Sequence, residues 1–281
     1  MNHQRFSHKK AMLLICSMLW ITPAQAANTV DSEQATAQKT GLEIMKRVEA
    51  RDDGDDLIQK MKQRLMDKRG NVREREMISF RKDYGLDSKT VSFFLSPANV
   101  RDTAMLTWDY ADEAKDDDQW LYLPALKKVR RISSSDRGDY FMGTDFTFED
   151  IKQTPELSDY TWTLIGSDTV DGFDVWVVDA EPKTKELKKD LGYSKVRYYV
   201  RKDIDMYIKV DFWDRKGKEL KHLVSTGIKL IDGIWTATGG VMSNVQTKHK
   251  TELVFSDHQY NTGLSDRLFT GRMIKRGYRG K

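Results

Sequence analysis

Apolar and polar residues alternate through much of this 281-residue chain, and that period of two commits it to β-sheet. Val196, Tyr198 and Val200 face one way while Arg197 and Arg201 face the other. Met206, Ile208, Val210 and Phe212 repeat the pattern against Lys209 and Asp211. Earlier runs do the same: Val91, Phe93 and Leu95, then Ala104, Leu106, Trp108 and Tyr110, then Tyr160, Trp162 and Leu164, then Phe173, Val175 and Val177. Turn signals separate the runs: Lys68–Asn71, Asp171-Gly172, Asp214–Lys218 and Asp232-Gly233. The spacing predicts about a dozen antiparallel strands. No second, equal set of strands separates off as a sandwich layer. The simplest way to bury one apolar face is a single curved antiparallel half-barrel, mainly β with an α lid and closed by short helices. Alternation alone also permits a closed barrel.

The candidate plugs for the concave side are a helix over Gly41–Arg51, the segment Tyr140–Ile151, and a short C-terminal helix over Leu264–Phe269. Leu42, Met45 and Val48, with Ile44 beside Val48, give the first of these its helical spacing. The tail Arg272–Lys281 carries five positive charges and no negative one, and reads as a frayed end.

The N-terminus reads as an address. Arg5, Lys9 and Lys10 precede an apolar run, Ala11–Ile21, and Ala24-Gln25-Ala26 is a small-x-small cleavage site. Cys16 follows Ile15 rather than a small residue, which argues against a lipid anchor there. The expected divisions are a signal peptide over 1–26, a flexible lead-in over 27–40 and a single half-barrel domain over 41–281. Removing the leader takes away the only cysteine and three positive charges, so 47 Lys+Arg becomes 44 against 43 Asp+Glu, a net charge of +1. That balance gives no reason to expect nucleic acid as a partner. The leader points to the periplasm.

The most informative stretch is Trp120–Asp150, WLYLPALKKVRRISSSDRGDYFMGTDFTFED. A strand, Trp120–Leu123, stops at Pro124, which has no amide proton for a sheet. A basic strand, Lys127–Ile132, follows. A polar loop then delivers Tyr140, Phe141, Met142, Phe146 and Phe148, too aromatic a set to stay in water. That segment reads as a cover across an apolar cavity. WLYLPALKKVRRI followed by GDYFMGTDFTFEDI resembles the LolA-like family of periplasmic outer-membrane lipoprotein-sorting proteins. The resemblance implies the same half-barrel and a role in carrying lipid or lipidated cargo. Family members are often encoded beside resistance-nodulation-division type transporters, which implies an inner-membrane transporter as a partner.

Motifs for catalysis are missing: the chain has no nucleophile elbow, no phosphate-cradling glycine loop and no zinc helix. His222, His249 and His258 sit singly and read as solvated or core residues. Asp145 reads as a turn residue bonding nearby backbone amides. Glu149 and Asp150 are neighbours that point apart. No catalytic residue, metal ligand or cofactor is expected. Binding has more support. The expected lipid-cavity residues are Phe93, Leu106, Trp108, Leu121 and Leu123 on strands, Phe141, Met142, Phe146 and Phe148 on the cover, and Trp162. Methionines such as Met61, Met77, Met105 and Met206 suit a wall that accepts variable chains. Arg73 and Arg75 share one strand face; if that face is concave, one of them can bond a carbonyl of lipid or of the cover. With Lys128 and Arg130, they are the candidates for contact with a headgroup, a partner or, transiently, a membrane surface. The expected function is a periplasmic carrier of the acyl chains of lipoproteins or lipids toward the outer membrane. Two alternatives remain open. One is an accessory of a resistance-nodulation-division type exporter that handles another lipid. The other is a sensor or interaction module whose interior is filled by side chains.

Overall fold

Aspartate-glycine pairs turn this chain where the alternation requires it. Asp171 and Gly172 have φ of 51° and 82°, and Asp232 and Gly233 have 52° and 84°, so both pairs form the left-handed turns that match strand twist. The computed structural model describes residues 23–112, 114–152 and 155–280, with side chains from residue 34 onward. The expected leader lies outside these residues as far as position 22. The compact unit from Ala37 to Lys281 carries the fold described below.

The strands, in chain order, are β1 (Asp56–Met66), β2 (Val72–Tyr84), β3 (Asp87–Ser96), β4 (Ala104–Asp109), β5 (Asp118–Leu123), β6 (Lys128–Ile132), β7 (Tyr160–Val170), β8 (Phe173–Pro182), β9 (Tyr193–Arg201), β10 (Met206–Asp214), β11 (Glu219–Thr226), β12 (Lys229–Ile231), β13 (Ile234–Thr236), β14 (Gly239–Asn244) and β15 (Lys250–Tyr260). The helices are α1 (Pro23–Glu49), α2 (Lys185–Leu191) and α3 (Gly271–Arg276). Thirteen strands form one sheet in the order β6-β5-β4-β3-β2-β1-β15-β14-β11-β10-β9-β8-β7, while β12 and β13 pair separately. Neighbours run antiparallel, and the edges β6 and β7 do not meet. The result is the curved, unclosed half-barrel expected as the simplest burial of one apolar face, and not the closed barrel that alternation alone also permits.

This strand order has a consequence for the cover. β6 and β7 are consecutive in the chain yet lie at opposite edges of the sheet. The connection 133–159 therefore has to cross the sheet, and it does so on the face that carries Met77, Phe94, Met105 and Leu121, against which Phe141 and Phe148 pack. The other half of the same face packs on α1 through Ile44, Met45 and Val48, which meet Trp162, Val178, Tyr198 and Val210. Gly41 allows this contact, because a Cβ there would stand 2.8 Å from the backbone nitrogen of Leu164.

Three expectations need correction. The stretch 27–40, expected to be a flexible lead-in, is helical as part of α1. It holds no glycine or proline, and its alanines and glutamines favour a helix that the burial of Ile44 and Met45 anchors downstream. The tail expected to fray contains α3. Thr270 caps it by accepting a bond from the Met273 amide at 3.2 Å, and Ile274 is fully buried. Finally, the C-terminal segment does not plug the concave side. Phe269 and Ile274 pack on Ile78, Phe80, Val91, Phe93 and Leu106, and the register places these residues on the opposite face from Met77, Ser79, Ser92 and Met105.

Candidate functional site: a covered cavity on the concave face

A cavity of about 410 Å³ lies between the sheet, the cover and the end of α1. This falls within the roughly 300–1,000 Å³ span of ligand pockets. Its walls are arranged in rungs set by strand register. Arg81 is opposite both Leu57 and Thr90, Ser79 opposite Gln59 and Ser92, and Met77 opposite Met61 and Phe94. Phe255 continues the Met61 rung and Leu253 the next one. Gly239 and Gly240 lie on the neighbouring strand and leave that part of the floor without side chains. Phe141, Phe146 and Ile151 form the roof. Trp235 and Thr236, on the β12–β13 hairpin, and Tyr260 close the end where Arg81 lies.

The expected cavity residues fall into four places. Phe141 and Phe146 line the cavity. Leu121, Leu123, Met142 and Phe148 lie behind them in the same apolar cluster, where Phe141 meets the Phe148 ring edge-on at 5.7 Å. Phe93, Leu106 and Trp108 face away, beneath the C-terminal segment, and Trp108 donates from Nε1 to the Phe269 carbonyl at 3.2 Å. Trp162 faces inward but is packed under α1, where its Nε1 donates to the Leu157 carbonyl. Trp162 is displaced from the cavity by its packing on Ile44, Met45 and Val48, and the correction for Phe93, Leu106 and Trp108 has one cause. The more apolar of the two faces of β2–β5 is the one permanently covered by protein, and the cavity face mixes methionine with Ser79, Ser92, Thr90 and Thr107. Two signals for this cavity were legible in the sequence: the concave hydroxyls alternate with the buried set, and Gly239-Gly240 interrupts a strand.

The cover is fastened as well as packed. Arg75 lies on the concave face, buried, and donates from Nη2 to the Met142 carbonyl at 2.9 Å. Met142 has φ of 50°, in the left-handed region, so this bond holds a residue in a backbone state that costs roughly 1 kcal/mol. Arg75 has no carboxylate partner among the described residues, and its Nη1 is buried without a hydrogen bond. Burial, and then the charge of Arg73, lower its pKa. Arg73 is exposed at the end of the strand. Lys128 and Arg130 are exposed on the edge strand β6, and Arg130 already pairs with Asp136 at 2.7 Å.

A second fastening lies on β11. Lys221 is fully buried; its Nζ donates to the Asp145 carbonyl at 2.8 Å and to Asp150 Oδ2 at 2.5 Å. Burial lowers its pKa, against the opposing pull of Asp150 and Asp145. Asp150 also accepts from the Thr147 amide and from the Tyr193 hydroxyl. Asp145 does not serve nearby backbone amides. Its carboxylate receives the Thr251 hydroxyl at 2.7 Å and meets His249 Nδ1 at 2.6 Å, so this histidine is paired rather than solitary. His222 likewise meets Asp211. On the other side of the cover, Glu149 faces Arg137 and Lys152, which in turn pair with Asp159 and Asp117. Burial pushes the Asp109 carboxyl, beside this group, up to about 7, with Asp117 adding to the effect. Among the described residues, no group of three or more His, Cys, Asp or Glu side chains is placed to hold a metal.

A family model described as an uncharacterized protein matches residues 86–276. A solved Vibrio parahaemolyticus domain assigned to outer-membrane lipoprotein sorting is 35% identical, with a TM-score of 0.78, covering 85% of this chain and 100% of that one. A DUF1329 family protein from Desulfovibrio piger is 31% identical, with a TM-score of 0.79, covering 85% and 99%. A LolA superfamily protein from Nitrosomonas europaea is 19% identical over 83% of this chain and 98% of that one; at that identity its TM-score of 0.64 speaks for the fold alone. No curated protein matches the chain.

Proposed function

The chain belongs to the LolA-like family of outer-membrane lipoprotein-sorting proteins, and on that premise we propose that it is a periplasmic, non-enzymatic carrier of acyl-bearing cargo. The leader expected over residues 1–26 delivers it to the periplasm and is removed after Ala26. Acyl chains of a lipid or lipoprotein enter the space beneath Phe141 and Phe146 and travel there toward the outer membrane. The observation that carries this reading is the 410 Å³ cavity on the concave face, roofed by aromatic side chains and walled by Met61, Met77 and Met105. Burial of hydrocarbon supplies the affinity, about 0.8 kcal/mol for each CH₂. Methionine suits this task, because an unbranched, polarizable side chain adapts to chains of different length.

Release needs a cover that can be displaced, and Arg75 is the group best placed to couple cargo to the cover. Its bond to the Met142 carbonyl can be exchanged for a bond to an ester or amide carbonyl on the cargo, at little net cost to the guanidinium. Lys128 on the edge strand is the candidate for transient contact with a transporter or membrane surface. The same cavity supports an exporter accessory for a non-lipoprotein lipid, and it counts against a sensor module with a filled interior. Native mass spectrometry of gently purified protein tests the carrier reading. The expected spectrum shows a lipid adduct that survives mild desolvation; a chain that carries no lipid and takes none up on incubation with membrane extract refutes it.

A further inference from the structure

We propose that the cavity accepts one single-chain amphiphile at a time, its hydrocarbon beneath the cover and an uncharged, hydroxyl- or amide-bearing headgroup at the Arg81 end. This rests on the carrier reading and narrows it to a ligand class and an orientation. The first support is size. At about 30 Å³ per small heavy group, the share of one water in the liquid, 410 Å³ holds about fourteen such groups, the length of one ordinary acyl chain. The two or three chains of a phospholipid or lipoprotein anchor exceed it about two- to threefold.

The second support is the polarity gradient along the strands. Beneath the cover the wall is Met61, Met77, Leu253 and Phe255, and Met105 adjoins them from the next rung, opposite Ser92. One to two rungs away it becomes Gln59, Ser79, Ser92, Thr90 and Thr107, all on the concave face. Only one of these hydroxyl pairs is closed on itself, Ser92 to Ser79 at 2.9 Å. An amphiphile matches this gradient only with its tail under Phe141 and its head beside Thr90.

The third support is the charge state of that end. Arg81 has its guanidinium committed to Asp83 at 2.6 Å, to the Asp53 carbonyl at 2.6 Å and to the Gly54 carbonyl at 2.5 Å. Arg51 donates from Nη1 to the Asp52 and Trp235 carbonyls, both at 2.9 Å. The cations there are tied to the protein, with Arg81 paired to the carboxylates of Asp53 at 3.2 Å and Asp83 at 2.6 Å, so an anionic headgroup finds no free counter-charge and a cationic one has to compete with Arg81 for those carboxylates. Hydroxyl and amide groups find donors and acceptors on Gln59, Thr90 and Thr107.

The test is displacement of 1-N-phenylnaphthylamine from the full-length protein by monomyristoylglycerol, myristate, tetradecylamine and a synthetic triacylated lipopeptide, each below its aggregation threshold. Monomyristoylglycerol should bind one per chain and at least about tenfold more tightly than the two charged ligands, the scale of one well-made hydrogen-bonding group. The near-isosteric Thr90→Val/Thr107→Val variant should lose about tenfold for monomyristoylglycerol and keep its affinity for the fluorescent probe. Gln59→Leu should act in the same direction. The proposal falls if a charged ligand binds as well as the monoglyceride, or if these variants leave its affinity unchanged. It also falls, with the carrier reading intact, if the lipopeptide displaces the probe and the monoglyceride does not. If no amphiphile or lipopeptide displaces the probe, both readings fall.

Discussion

Replacing Lys221 by methionine should cost this protein about 3–5 kcal/mol of stability, the usual penalty for breaking a buried ion pair from one side. The structure places the value in the upper part of that range for three reasons. Lys221 is fully buried, so no water replaces its ammonium. Asp150 is left with the Thr147 amide and the Tyr193 hydroxyl as donors but no cation. The Asp145 carbonyl loses the bond it receives from Nζ at 2.8 Å. Removing both charges, in Lys221→Met/Asp150→Asn, should recover most of the loss, because a buried pair exchanged for uncharged groups is often neutral. A double-mutant cycle by urea unfolding, followed by tryptophan fluorescence and far-ultraviolet circular dichroism, gives the coupling directly. A coupling of at least about 2 kcal/mol is expected. A single variant within about 1 kcal/mol of the parent, or a double variant worse than both singles, would refute the claim that this pair bolts the cover to the sheet.

Further tests concern the cover, the cavity and the outer face. Arg75→Met should speed hydrogen exchange at residues 140–148 and destabilise the protein by about 1–2 kcal/mol, the scale of one hydrogen bond from a charged donor; unchanged exchange there would remove Arg75 from the fastening. Met105→Trp should fill the cavity and weaken binding of a fluorescent lipid analogue at least tenfold, with stability shifted by no more than about 3 kcal/mol. Ile274→Ala, on the outer face, should cost about 2–5 kcal/mol and leave lipid affinity unchanged; a parallel loss of binding would mean the C-terminal helix serves the cavity after all. Asp109, with its pKa raised from the model-peptide value of 3.8 to about 7, favours the folded state most when protonated. Its contribution is fully present below pH 3.8 and lost as pH rises through about 7, so Asp109→Asn should stabilise the protein at pH 8 relative to its parent and lose that advantage near pH 4, a difference of about 1–3 kcal/mol in paired urea curves.

The sequence by itself determined most of the strands, the hairpin turns and the existence of a cover, while β14, which opens on Gly239-Gly240, shows too little alternation to be read from sequence. Alternation places each residue on one of two faces, and Asp-Gly pairs adopt left-handed turns whatever surrounds them, so these features need only local information. The aromatic cluster at 140–148 likewise had to be buried somewhere. Tertiary structure decided which face is which. Strands β2–β5 are apolar on both sides, with Ile78, Phe80 and Phe93 on one and Met77, Phe94 and Met105 on the other. Choosing between the two requires knowing where the C-terminal segment packs. The sequence favoured the more apolar set for the cavity, and that set is covered by α3 and its neighbours because a permanent protein contact tolerates no unpaired hydroxyl. The fastening of the cover was also illegible. Lys221, Arg75, Asp145 and Asp150 look like ordinary strand and loop charges until the fold brings them together. Their partners lie on strands that become neighbours of the cover only because the connection from β6 to β7 must cross between opposite edges of the sheet.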